Sequence, residues 1–167
     1  MATRSTTARF LPAAGWILGC EVAGMLGGLF TRSSLRDWYP SLDKPSFNPP
    51  SGVFAPVWTI LYALMGLAAS LVWHERDTHP DARAGLRLFG LQLGLNLAWS
   101  AAFFGLRSPL AGLADIAALL VAVVATIRRF ARVSGPAALL LLPYLAWISF
   151  ATVLNWTIWR LNSGNTG

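Results

Sequence analysis

A chain of 167 residues with 55% hydrophobic and only 12% charged side chains is too apolar for an ordinary soluble domain. Its formal net charge of +6 would suggest nucleic acid in a soluble protein, but the basic residues flank apolar runs, where they act as anchors and topology signals, so no nucleic-acid partner is expected. The single cysteine, Cys20, excludes an internal disulfide and a multi-cysteine metal site, and no metal centre is expected.

Five segments are long and apolar enough for a membrane span, which takes roughly 20 residues at the helical rise: about Phe10–Phe30, Val53–Trp73, Leu88–Leu106, Leu110–Phe130 and Ala137–Trp159. Helices satisfy their own backbone hydrogen bonds in lipid, and continuous apolar runs do not alternate as barrel strands do. The fold class is therefore all-α: residues 1–167 form one integral, multi-pass membrane bundle of five transmembrane helices. Ile17-Leu18-Gly19-Cys20 loosely resembles a lipoprotein cleavage site. The run continues through Val22–Phe30, however, which is too long for a signal peptide and reads as an uncleaved span.

The first connection, Thr31–Gly52, holds Pro40, Pro45, Pro49 and Pro50, which fix their own φ and push preceding residues toward extended conformations. Too apolar to float in water (Trp38, Tyr39, Leu42, Phe47), it is expected to be a non-helical lid across one end of the bundle. His74–Ala84 is charged and reads as a solvated loop. Arg107-Ser108-Pro109 and Arg132–Pro136 are tight turns that open the fourth and fifth helices, with Pro109 suited to a first helical position. Short turns should make consecutive helices antiparallel neighbours. The tail from Asn162 reads as frayed.

Lys and Arg flanking the spans divide eight (Arg4, Arg9, Arg76, Arg83, Arg87, Arg128, Arg129, Arg132) against five (Arg32, Arg36, Lys44, Arg107, Arg160). Under the positive-inside rule this puts the N-terminus in the cytoplasm; an outer-membrane location voids that assignment. Twelve arginines to one lysine hint at a GC-rich bacterial genome, with inner and outer membrane both open.

On the third helix, Gly90, Gly94, Ala98 and Ala102 form a small-residue stripe that permits close helix approach. Gln92, Asn96, Trp99 and Phe103 lie nearly opposite, so the polar and aromatic face should point inward. Gly15, Gly19, Ala23 and Gly27 make a similar stripe on the first helix; either stripe could be a dimer seam or serve internal packing. Glu21 and Asp115 are intramembrane carboxylates without a basic partner in the spans, read as structural rather than as a proton relay. Trp58 and Tyr62, one turn apart, together with Asn96, Trp99, Tyr144, Trp147 and Ala151, would line an apolar pocket for a flat hydrophobic ligand, against the plainer reading of a packed core. No nucleophile–base set, phosphate loop or nucleotide fingerprint appears.

Trp38-Tyr39, Leu42, Lys44-Pro45 and Pro49-Pro50 resemble the first-loop motif of the TspO/MBR family of tryptophan-rich sensory and translocator proteins. The resemblance continues through Pro56-Val57-Trp58, Leu61-Tyr62 and Met65-Gly66; through Gln92-Leu93, Asn96, Trp99 and Phe103-Phe104-Gly105; and through Asp115. It ends in Pro143-Tyr144-Leu145-Ala146-Trp147, Phe150-Ala151-Thr152, Leu154-Asn155 and Trp159-Arg160. It implies a homodimeric five-helix bundle whose first loop closes a pocket for porphyrins, benzodiazepine-type ligands and, in animals, cholesterol. Carried over, the pocket falls on Ala23, Phe54, Ala55, Trp58, Tyr62, Asn96, Trp99, Trp147, Ala151 and Leu154, to which Phe103 adds from the inward face. The lid falls on Trp38, Tyr39, Lys44, Pro45, Pro49 and Pro50.

Phe47 and Ala111 stand where relatives often carry Trp, and Trp156 stands where the animal sterol consensus needs Tyr, which puts animal-type sterol binding in doubt. The expected function is a membrane receptor or sensor for tetrapyrroles such as protoporphyrin IX or a haem-related ligand, with no obligatory cofactor. The ligand would stack between Trp58, Trp99 and Trp147, oriented by Asn96 and indole N–H groups. The alternatives are light- and oxygen-dependent porphyrin breakdown using Trp58 and Trp147, or tetrapyrrole or sterol transport. Membrane lipid is the remaining partner.

Overall fold

The computed structural model describes residues 7–164, with side chains from Leu11 onward. Arg4 and the side chain of Arg9, both counted for orientation, lie outside that range. The described chain is mostly helical, with no strand. Its helices are α1 (Thr7–Ser34), α2 (Trp38–Ser41), α3 (Ser51–His74), α4 (Pro80–Ser100), α5 (Pro109–Val133), α6 (Gly135–Leu140) and α7 (Leu142–Asn162). A π-helical turn, Ala101–Gly105, extends α4. Five helical segments are long and apolar enough to cross a membrane, the fifth being α6 and α7 together. Their outer faces carry exposed Leu18, Met25, Val121 and Leu139, apolar surface suited to lipid contact.

The spans close into a ring in the order one, two, five, four, three. The two short turns make neighbours as expected, α4 against α5 and α5 against α6–α7, whereas α3, joined to α4 by the longer charged connection, packs mainly on α1 and on α6–α7. Glycines decide the tightest crossing. A Cβ on Gly66 would sit 2.5 Å from the Ile17 Cα, so the α1 and α3 backbones touch there, and only glycine fits. Met65, Ala68, Ala69 and Val72 fill the same end of the bundle at zero exposure.

Three local features depart from the sequence expectations, each for a local reason, and the turn at Arg107 is as expected. The charged connection His74–Ala84 is shorter than expected because α4 begins at Pro80. The His79 ring accepts the Asp81 N–H, and Pro80, which lacks an N–H, suits a first-turn position. Asp81 is also clasped by Arg129 and Arg132 of α5. The lid region is partly helical: α1 runs on to Ser34, and α2 adds one turn containing Pro40, where first-turn N–H groups need no intrahelical acceptor. The expected fifth helix breaks at Leu141, two residues before Pro143, whose missing N–H leaves a carbonyl unpaired. Arg107 adopts a positive φ of 53° in the turn into α5, where the Ser108 hydroxyl caps Ala111.

Candidate functional site

A cavity of about 970 Å³ lies between α1, α3, α4 and α7, beneath the segment that follows α2. Nine aromatic residues line it. Trp58 stacks on Tyr62 at 5.3 Å and meets Trp147 edge-on at 6.5 Å. Across the cavity Trp99 stacks on Phe103, also at 5.3 Å. These positions follow from helical spacing: Trp58 and Tyr62 are one turn apart, as are Trp99 and Phe103, so each pair shares a face.

The polar groups behind the rings are largely occupied by one another. Tyr62 donates to Asn96 Oδ1 at 2.5 Å, and Asn96 Nδ2 donates to the Tyr144 hydroxyl at 3.1 Å. Trp99 Nε1 donates to Asn155 Oδ1 at 3.1 Å, while Asn155 Nδ2 reaches the carbonyl of Pro109 at 2.8 Å. Asn96 and the Trp99 N–H, expected to orient a ligand, thus already serve the protein; what they orient is the wall.

The lid is pinned along the α4–α7 side. Asn162 pairs reciprocally with Asp43, accepting from its N–H at 3.0 Å and donating to its carbonyl at 2.9 Å. Ser34 Oγ donates to the Phe104 carbonyl at 2.6 Å, and Asp37 meets Arg107 at 3.4 Å. Lys44 folds back on its own loop, donating to the carbonyls of Tyr39, Pro40 and Leu42. Tyr39 donates to Asn48 Oδ1 at 2.9 Å, and burial holds its hydroxyl above the usual tyrosine range, so it remains a donor at neutral pH.

Of the residues expected at the pocket, Phe54, Ala55, Trp58, Tyr62, Asn96, Trp99, Phe103, Trp147, Ala151 and Leu154 line the cavity. Ala23 does not: it is buried beside the cavity, and Gly24 and Gly28 take its place in the α1 wall. Among expected lid residues, Tyr39, Lys44, Pro49 and Pro50 line the cavity, whereas Trp38 and Pro45 do not. Trp38 packs edge-on against Phe103 at 5.6 Å and closes the wall from outside. Sequence reasoning missed Glu21 and Asn155 as wall residues. Asn155 carries a signal, a lone amide inside an apolar helix, whereas Glu21 reads from sequence as structural.

The remaining expectations fall as follows. Gln92 is buried with neither amide atom paired among the described residues, as is Asp115 Oδ2, and neither residue lines the cavity. Gly90 and Gly94 face open space on the outer side of α4, beside exposed Ala98 and half-buried Ala102. On α1 the stripe splits: Gly15 and Gly19 meet nothing, while Gly27 packs against Ser100 and Leu97. Trp156 is 43% exposed on the outer face of α7, with the Arg160 guanidinium 5.1 Å from its ring. No cluster that could hold a metal occurs among the described residues.

Residues 16–160, which include most of the residues around this cavity, match the model of the TspO/MBR family. The chain belongs to the TspO/MBR family. The TspO/MBR protein from Chlorobaculum tepidum named Tryptophan-rich protein TspO is 50% identical over 143 residues, covering 86% of this chain and 90% of that one. Tryptophan-rich protein TspO of Archaeoglobus fulgidus is 47% identical over 147 residues, covering 88% and 94%. The human Translocator protein is 40% identical over 159 residues, covering 95% and 94%. Family membership and the five spans together make this an integral, multi-pass membrane protein.

Proposed function

We propose that this TspO/MBR protein is a membrane receptor for flat hydrophobic ligands of the tetrapyrrole class, held in the aromatic cavity. One observation carries the reading: a cavity of about 970 Å³ walled by Trp58, Tyr62, Trp99, Phe103 and Trp147, with the amides behind those rings already paired. Such a wall offers ring faces to a flat ligand, each stack worth about 0.5–1.5 kcal/mol beyond the area buried. The volume is at the upper end of small-ligand sites, which suits a macrocycle. The words "sensory" and "translocator" in the names of relatives support a receptor role.

Protoporphyrin IX titrated in the dark into detergent-purified protein should quench tryptophan fluorescence saturably. Trp147→Ala should weaken binding by roughly twofold to tenfold, the equivalent of one lost stack. Unchanged affinity in that variant would remove the ligand from this wall. Trp58 and Trp147 both border the cavity, so the same sample under illumination tests the photochemical reading. A spectral change of the porphyrin that disappears in Trp147→Phe would favour it, and a stable spectrum would leave simple binding. Any such chemistry would be the ligand's own, with indoles as reactants.

A further inference from the structure

Glu21 lines the cavity near the middle of α1, and among the described residues no hydrogen bond or ion pair reaches it. It sits one turn before Gly24, on the same face of α1. Gly24 packs directly on the Tyr62 ring, where a Cβ would fall 2.2 Å from a ring carbon. The carboxyl is therefore placed beside the Trp58–Tyr62 stack.

The cavity supplies no cation for it. Lys44, the one basic residue among the described lining residues, is held by three backbone carbonyls of the lid. An intramembrane carboxyl is costly to ionise without a positive partner. The wall is open where such a partner could arrive: Met25, at 72% exposure, Gly28, Ala55 and Thr59 border both the cavity and the outer surface between α1 and α3. A lone carboxylate beside aromatic faces is the chemistry that holds organic cations, by ion pairing at one point and cation–π attraction around it.

We infer that the cavity also takes a flat hydrophobic cation, its protonated nitrogen on Glu21 and its rings on Trp58 and Tyr62. Glu21 is then the specificity-determining residue for charge. This assignment does not rest on tetrapyrrole binding and stands or falls separately from it.

The test uses aminoacridine, a flat protonated cation, and aminoanthracene, its uncharged analogue at neutral pH, each titrated into the detergent-purified full chain. Aminoacridine should bind wild type saturably and lose about tenfold or more in affinity in Glu21→Gln, while aminoanthracene should change by less than about twofold. Far-UV circular dichroism and thermal melting check that the variant is folded. Glu21→Asp, which keeps the charge, provides a second variant and should retain the preference for the cation over the neutral analogue. Equal binding of aminoacridine to wild type and Glu21→Gln overturns the assignment, as does failure of wild type to bind it saturably.

Discussion

The Tyr62 hydroxyl donates to Asn96 Oδ1 at 2.5 Å, joining the second and third spans behind the cavity wall. Asn96 in turn donates to Tyr144, so a single amide ties together three spans at a site where all three residues are buried. Tyr62→Phe should cost about 1 kcal/mol, whereas Asn96→Leu, which orphans two buried hydroxyls, should cost about 1–3 kcal/mol. Thermal melting in detergent checks the order. An Asn96→Leu protein that melts with wild type would mean that the network contributes nothing to stability.

The glycine at the α1–α3 crossing should be the least replaceable small residue. Gly66→Ala places a methyl 2.5 Å from the Ile17 Cα and must push two backbones apart, at about 1–3 kcal/mol or more. Gly90→Ala meets nothing within 4 Å and should stay within about 0.5 kcal/mol of wild type. The melting temperatures of the two variants should differ clearly, and equal values would contradict the close approach.

The outer face of α4 provides a test of self-association. With Gly90 and Gly94 opening onto empty space, a second copy could approach this face closely. If two copies pair through this face, Gly94→Leu should abolish the self-association of wild type in cross-linking and light scattering while leaving the melting temperature of the bundle near wild type. A dimer that survives this change would move the seam elsewhere, with the exposed Gly15–Gly19 stretch of α1 next to be tested.

Cutting the lid's tether to α7 should loosen it without unfolding the spans. Asn162→Ala removes both bonds to the Asp43 backbone, worth together about 0.5–1.5 kcal/mol at this exposed position. Amide exchange at Asp43 and ligand dissociation should both quicken. Unchanged exchange would show that aromatic packing, such as Phe47 on Phe150, holds the lid unaided.

Tyr39 gives the lid a pH dependence of known sign. Its hydroxyl titrates above the ordinary value of about 10 because it is buried, so its stabilising contribution is complete below that pH. As pH rises past it the unfolded chain ionises first, and the contribution is lost by the time the raised native value is passed. Melting temperatures measured from pH 8 to 11, a window set by that ordinary value, should fall further for wild type than for Tyr39→Phe. Parallel curves would assign the alkaline loss to other groups.

Much of the molecule follows from sequence because lipid imposes a simple requirement: a long apolar run must form a helix to satisfy its backbone. Spans, tight turns, the inward face with Asn96 and Trp99, and the outward stripe at Gly90 and Gly94 all follow from apolar length and a period of 3.6 residues. Tertiary structure alone decided what periodicity cannot encode. Ring order placed α3 mainly against α1 and the α6–α7 span, and less against α4, because packing shape outweighs chain adjacency. Side-chain reach directed the Trp99 N–H and both ends of Asn96 to protein partners, leaving aromatic faces as the wall. A shift of one residue, about 100° around α1, turned Gly24, not Ala23, onto Tyr62, and Glu21 entered the cavity with no partner among the described residues. Which polar group is satisfied, and which is left free to meet a ligand, depends on angstrom-scale distances between helices, and those exist only once the bundle has closed.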